Sequence, residues 1–266
     1  MALWHLLLLA VLQGATEFLP VSSSGHLVLL PLVTGLQDQG LFLDVAVHVG
    51  SLGAVVLYFR AEVAAALRGI GELLRGRTDG REARLALGLA IATVPVILAG
   101  LILKVTVGTE WMRSVAVIGW TTLLFGLLLG LADLRAPEHR TDRDWTPAAA
   151  LRFGLWQALA LVPGTSRSGI VITGARFEGY DRESAARLSM LMSIPTILAS
   201  GTLLALDVAE EGGALAWEGA VAALFSFGAA LVALALMMRL LRSVSFLPYV
   251  LYRVALGSAL LVWAYA

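Results

Sequence analysis

Gln13-Gly-Ala-Thr-Glu17-Phe-Leu-Pro20-Val-Ser22-Ser23-Ser24-Gly25-His26 is a polar stretch inside an otherwise oily chain. A second stretch, Gln157-Ala-Leu-Ala-Leu-Val-Pro163-Gly164-Thr165-Ser166-Arg167-Ser168-Gly169, follows 144 residues later. Sliding one onto the other matches Gln13 with Gln157, Ser22 with Ser166, Ser24 with Ser168 and Gly25 with Gly169. Polar segments are tolerated at membrane depth where they line a cavity. The two stretches therefore read as the two halves of one site.

The membrane setting follows from composition. The 266 residues are 59% apolar and 14% charged, with a mean hydropathy of +0.84. A soluble domain carries about 25% charged residues. The formal net charge is zero, so nothing in the global balance points to nucleic acid. The absence of cysteine excludes disulfides, thiolate metal sites and cysteine nucleophiles. No basic n-region precedes the first apolar run, and no small-residue cleavage site precedes the first motif, so a cleaved signal peptide is not expected.

Six apolar stretches reach the roughly 20 residues that a bilayer crossing needs: about 41–59, 85–103, 114–132, 188–206, 219–238 and 248–266. The arms around the motifs, 2–12 with 27–34 and 153–162 with 169–175, are too short to cross. Each pair reads as a re-entrant helix-loop-helix hairpin. Fifteen of the 19 basic residues fall on one side of this plan, in 60–84, 133–152, 176–187 and the turn before the last span. The opposite side has Lys104, Arg113 and an acidic segment at 207–218. The basic side is expected to be cytoplasmic. The first hairpin must then enter from outside and the second from the cytoplasm. The fold expected is all-α and polytopic, one membrane domain over 1–266 with an inverted repeat of about 1–132 and 153–266. Such repeats bring broken helices together near the bilayer midplane.

The motif residues have definite chemistry. Arg167 offers a planar fork of donors that matches a phosphate or carboxylate. Gly164 and Gly169 let backbone N–H groups approach an anion, and the helix expected after the motif adds a positive dipole end. Thr165, Ser166 and Ser168 add donors. The competing reading of Arg167 is a counter-charge for Glu17 that only ties the hairpins together. Glu17 suits a general base or an oxygen ligand for a divalent cation. His26 suits a nucleophile or a general acid/base. Ser22, Ser23 and Ser24 offer a hydroxyl nucleophile and hydrogen bonds, although serines in membrane helices more commonly cap or pack. Gln13 lies one turn before Glu17 on the same face. Asp44 and His48 are i,i+4 and read equally as supporting ligands or as a structural pair. Arg253 is expected to snorkel to the cytoplasmic headgroups.

At these residues the chain resembles the undecaprenyl pyrophosphate phosphatase family, also called bacitracin-resistance proteins, over essentially its whole length. The resemblance rests on Gln13 to His26 and on Pro163 to Gly169. It implies an enzyme of the bacterial plasma membrane that removes the terminal phosphate from a C55 polyprenyl diphosphate. That reaction recycles the lipid carrier of cell-wall synthesis. The implied catalytic residues are Glu17, Ser23, His26 and Arg167, with Gln13 and Ser166 close by. A divalent cation, Mg2+ or Ca2+, is the implied cofactor, with Glu17 as its ligand. The substrate contacts expected are Gln13, Ser22, Ser24, Gly164, Thr165, Ser166 and Ser168. The partners expected are the polyprenyl diphosphate, membrane lipids and, in a homodimer, a second copy of the chain. The site is expected to open to the periplasmic or extracellular side.

Two positions depart from the family pattern. Gln13 replaces an acid that the family also carries, and Ile170-Val171 stands where Ala-Thr is usual. Thr173 lies about 200° further round the helix and is not given the family threonine's role. Two other readings compete. One is an inverted-repeat transporter or flippase for a lipid phosphate or small anion. The other, the type 2 phosphatidic acid phosphatase family, wants a histidine four residues after the motif arginine, where this chain has Val171.

The topology is directly testable in a chain without cysteine. Cysteines introduced near Gly80 and near Gly212 are expected to label from opposite sides of intact cells. Labelling of both from one side overturns the inverted arrangement.

Overall fold

A computed structural model describes residues 3–35, 40–106, 110–211 and 216–266. The described residues form eleven α-helices and three short 3-10 turns, with no β-strand. Five helices are long and apolar enough to cross a membrane: α3 (Gly40–Tyr58), α5 (Arg81–Thr106), α6 (Val115–Arg135), α10 (Ala216–Leu240, apolar from Trp217) and α11 (Leu247–Tyr265). The other stretch expected to cross, 188–206, falls inside α9 (Arg182–Glu211). The outward faces are as oily as the interior: Leu98 and Ile102 of α5, Leu124 of α6, Leu224 and Val232 of α10 and Leu251 of α11 are all exposed. Such an exterior suits lipid rather than water. The protein is a polytopic helical membrane protein.

The short arms are longer than expected. α1 (Leu3–Glu17) continues through Gln13 and Glu17, and α2 (Ser23–Thr34) begins at Ser23. Only residues 18–22 leave the helices. Polarity does not break a helix, since Gln, Ala, Thr and Glu are tolerated within one. Proline and a left-handed residue do break it, and here those are Pro20 and Ser22 (φ 75°). The second motif repeats the plan. α7 (Pro147–Ala158) and a 3-10 turn (Leu159–Leu161) lead through Gly164 to Ser166 (φ 71°) and α8 (Arg167–Phe177). Adding 144 to the first residue of α2 gives the first residue of α8, and adding 144 to Ser22 gives Ser166.

Packing follows the same correspondence. α1 lies against α10, α7 lies against α5, and α6 and α11 pack together. Close approach depends on small residues. A side chain at Gly50 would run into the Ala223 backbone of α10, and one at Gly154 into the Ala92 backbone of α5. At the opposite end of the bundle from the N-terminus of α1, Asp133 accepts Arg182 Nε at 2.7 Å and Phe246 N at 3.0 Å. Its Oδ1 is also 3.4 Å from Nε of the fully buried Arg176. One carboxylate thus fixes the ends of α6, α8, α9 and α11. The segment 60–84, expected as a loop, is largely helix α4 (Arg60–Leu73), joined to α5 by the Arg68–Glu82 ion pair (2.6 Å).

Gly50→Val is expected to destabilise the protein by about 1–3 kcal/mol through overpacking. Gly228→Ala, where no atom of the described residues lies within 4 Å of the added carbon, should be neutral or stabilising. Thermal melting in detergent compares the two, and equal melting points would contradict the close α3–α10 contact.

Candidate active site

Ser22 and Ser166 set the geometry. Each precedes a helix in a left-handed conformation and turns its hydroxyl onto the helix start. Ser22 Oγ accepts Gly25 N (3.3 Å), and Ser166 Oγ accepts Gly169 N (3.1 Å). This capping satisfies helix N–H groups that have no partner within the helix. The two turns then lock together. Gly164 N donates to Ser22 Oγ at 3.1 Å, and Ser168 Oγ donates to Leu19 O at 2.9 Å. Gly164 has a φ of 88°, and a side chain there would strike Thr121 and the Ile118 carbonyl of α6. Thr121 Oγ1 donates to Pro163 O at 2.6 Å, so α6 supports the second turn from behind.

Glu17 is the hub. Its Oε2 accepts Ser23 Oγ at 2.6 Å and Gln13 Nε2 at 2.8 Å, and its Oε1 accepts Arg167 Nη2 at 2.7 Å. His48 Nε2 stands 3.9 Å from Oε2, while its Nδ1 bonds the Asp44 carbonyl. Only 5% of the Glu17 side chain and 13% of the Arg167 side chain are exposed. Two buried polar atoms in this cluster, Arg167 Nη1 and Gln13 Oε1, have no hydrogen-bond partner among the described residues. One is a donor and the other an acceptor. Buried polar groups are normally paired, so the cluster has capacity for a ligand. A cavity of about 260 Å³ adjoins it, lined by Ser24, Asp44, His48, Met112, Arg113 and Pro163.

The structure brings Gln13, Glu17, Ser23 and Arg167 into one connected group. His26 is held elsewhere. Its Nδ1 bonds Ser22 O at 2.6 Å, which leaves Nε2 as the acceptor for Tyr252 Oη at 2.5 Å. The two rings lie nearly parallel, with centroids 5.8 Å apart. Ser22 and Ser166 are buried caps, Ser168 is buried against Leu19 O, and Ser24 is exposed. Thr165 is fully buried, and its hydroxyl has no partner among the described residues. Thr173 donates to the Gly169 carbonyl of its own helix.

Arg253 corrects the sequence reading. It does not snorkel, and it is fully buried. Nε donates to Thr122 O (3.1 Å), Nη1 to Pro20 O (3.3 Å), and Nη2 to Thr165 O (2.9 Å), Gly164 O (3.0 Å) and Thr121 O (3.4 Å). One side chain thereby ties both turns to α6. A signal for this was in the sequence. Gly257 lies one turn further on the same face, and a small residue on a membrane helix marks the face toward its neighbours.

Among the described residues no three His, Cys, Asp or Glu side chains converge as a metal cluster. The oxygen donors present are the Glu17 carboxylate, the unpartnered Gln13 Oε1 and the Ser23 hydroxyl. This set fits a hard divalent ion that takes its remaining ligands from phosphate oxygens.

The family model for the bacitracin resistance protein BacA matches residues 6–259. An undecaprenyl-diphosphatase of Dinoroseobacter shibae is 63% identical over the full length of both chains. One from Ruegeria pomeroyi is 61% identical, also over both full lengths. One from Chromohalobacter salexigens is 48% identical over 97% of this chain and 98% of its own.

Arg253→Met keeps the bulk of the side chain but removes its donors. A loss of about 1–3 kcal/mol is expected for each carbonyl left unpaired. Arg253→Lys should recover part of this, since an ammonium donates at most about three bonds. Melting and turnover in detergent are the readouts. An Arg253→Met protein that matches the parent in both would show that the turns do not depend on Arg253.

Proposed function

Because the chain belongs to the bacitracin resistance protein BacA family, we propose that it is an undecaprenyl-diphosphatase. It hydrolyses the terminal phosphate of a C55 polyprenyl diphosphate, yielding the monophosphate carrier of cell-wall synthesis and conferring bacitracin resistance. The observation that carries this reading is the Glu17 hub, where a carboxylate, a hydroxyl and an arginine with an unpartnered N–H meet at two helix starts. Phosphoryl transfer needs these parts: a positioned nucleophile, a base and donors for the equatorial oxygens.

In this mechanism Arg167 turns its fork to the diphosphate, and the α8 N-terminus adds its dipole. Moving Arg167 frees the Glu17 carboxylate from its counter-charge. Glu17 then accepts the Ser23 proton, along the 2.6 Å hydrogen bond that already joins them. Ser23 Oγ attacks the terminal phosphorus, the bond to the bridging oxygen breaks, and the polyprenyl monophosphate leaves. Glu17 passes the Ser23 proton to the departing phosphate oxygen. Water then hydrolyses the phosphoserine, with Glu17 taking the water proton and returning it to Ser23 Oγ as the phosphorus–serine bond breaks. His26, engaged by Ser22 O and Tyr252, holds the start of α2 to α11. Gln13 orients Glu17. Ser22, Ser24, Gly164, Thr165, Ser166 and Ser168 shape and line the phosphate cradle. A Mg2+ or Ca2+ ion held by Glu17 and Gln13 would supply charge neutralisation at the phosphates.

The membrane arrangement we infer has six crossings, with α9 as the sixth, and two re-entrant hairpins, α1–α2 and α7–α8. The halves, about 1–132 and 153–266, are inverted. The repeated left-handed serines and the one-sided distribution of basic residues support this. On this topology the site, beside the cavity lined by Ser24 and His48, is expected to open to the periplasmic or extracellular side.

Purified protein in detergent is expected to release phosphate from a polyprenyl diphosphate. Vectorial movement is impossible there, so an inactive but substrate-binding protein would favour the transporter reading. Arg167→Lys should lower turnover about 10²–10³-fold, since an ammonium lacks the bidentate fork. Near-normal turnover in the folded variant would reduce Arg167 to a counter-charge.

A further inference from the structure

A second polar site lies at the other end of the bundle, where α5, α7 and α9 begin. Two cavities, of about 430 and 620 Å³, flank Trp145 and share Arg84 and Arg143. The larger is also lined by His139, Arg140 and Arg152. Its cations outnumber their partners. Arg140 and Arg152 share the one carboxylate of Glu178, at 3.6 and 2.6 Å. Among the described residues Arg84 and Arg143 have no ion-pair partner. The acid in the wall, Asp144, is occupied by the Thr141 backbone N–H and hydroxyl, and those bonds hold its carboxyl below the usual range. The start of α7, capped by Thr146, adds a positive dipole end. Trp145 is 9% exposed, and its indole N–H has no acceptor among the described residues.

Next in sequence to Arg152 of the cavity wall begins a row of exposed leucines. Leu151, Leu155 and Leu159 follow at one-turn spacing from the residue beside Arg152, and all three are exposed. A free anion has no use for such a track, whereas a lipid does. We propose that the larger cavity holds the phosphate group of an anionic phospholipid, with its acyl chains along Leu151, Leu155 and Leu159. The assignment of this end to the cytoplasmic leaflet rests on the topology above; the binding itself does not. Basic pockets between membrane helices on that side suit such headgroups.

The test uses the whole protein in neutral detergent, with retained lipid read by native mass spectrometry. Phosphatidylglycerol should be retained over phosphatidylcholine, and rising salt should release it. The double variant Arg84→Gln/Arg143→Gln should bind phosphatidylglycerol about 30-fold more weakly. Arg75→Gln/Arg77→Gln, at positions that line neither cavity, should bind it as the parent does. Phosphatase turnover in the same samples reports folding and separates failure of this site from failure of the catalytic reading. If the double variant does not fold, the salt and headgroup dependence of the parent still decides. Equal retention of both lipids, or unchanged retention in the folded double variant, overturns the proposal. Binding of inorganic phosphate without retention of phosphatidylglycerol also overturns it, in favour of a soluble anion.

Discussion

A helix that stops at mid-depth in a membrane leaves carbonyl oxygens without partners, and no water is there to pair them. On the arrangement proposed above, this protein has two such interruptions side by side. Arg253 answers both: its guanidinium takes carbonyls from Pro20 in the first turn, from Gly164 and Thr165 in the second, and from Thr121 and Thr122 of α6. Arginine suits the task because its five N–H donors lie in one rigid plane. Everything in the site is placed by this arrangement. With the turns fixed, Ser22 and Ser166 cap α2 and α8, and the first residues of those helices, Ser23 and Arg167, converge on Glu17.

The Glu17–Arg167 pair has a different character. Burying an ion pair costs desolvation that mutual attraction only partly offsets, so such a pair is weak evidence for stability. Its retention points to use. One arginine nitrogen and one glutamine oxygen beside it have no partner among the described residues, a state that a fully structural pair would not need. Two arginines thus divide the labour. Every nitrogen of Arg253 is bonded to a backbone carbonyl, whereas Nη1 of Arg167 has no partner among the described residues.

Much of this was legible in the sequence because it repeats. The 144-residue match located both turns, and five of the expected crossings appear as long apolar helices. The Gln13–Glu17 contact followed from i,i+4 spacing, and Arg167 meeting Glu17 followed from the need to pair a buried charge. Other features were hidden for physical reasons. The motif residues looked like loop because they are polar, yet helix ends are set by Pro20 and the left-handed serines. His26 bonds Tyr252, 226 residues away, and no local spacing encodes that partner. Arg253 read as a snorkelling residue because the orphan carbonyls it serves exist only once the turns have formed.

The central claim is that Glu17 positions Ser23 to attack a diphosphate held by Arg167. Rapid quench with a terminally labelled polyprenyl diphosphate, followed by acid treatment, tests it most directly. The account predicts an acid-stable phosphoserine at Ser23 that is absent from Ser23→Ala. An acid-labile adduct at His26, or solvent oxygen entering phosphate in the first turnover with no adduct trapped, would contradict it.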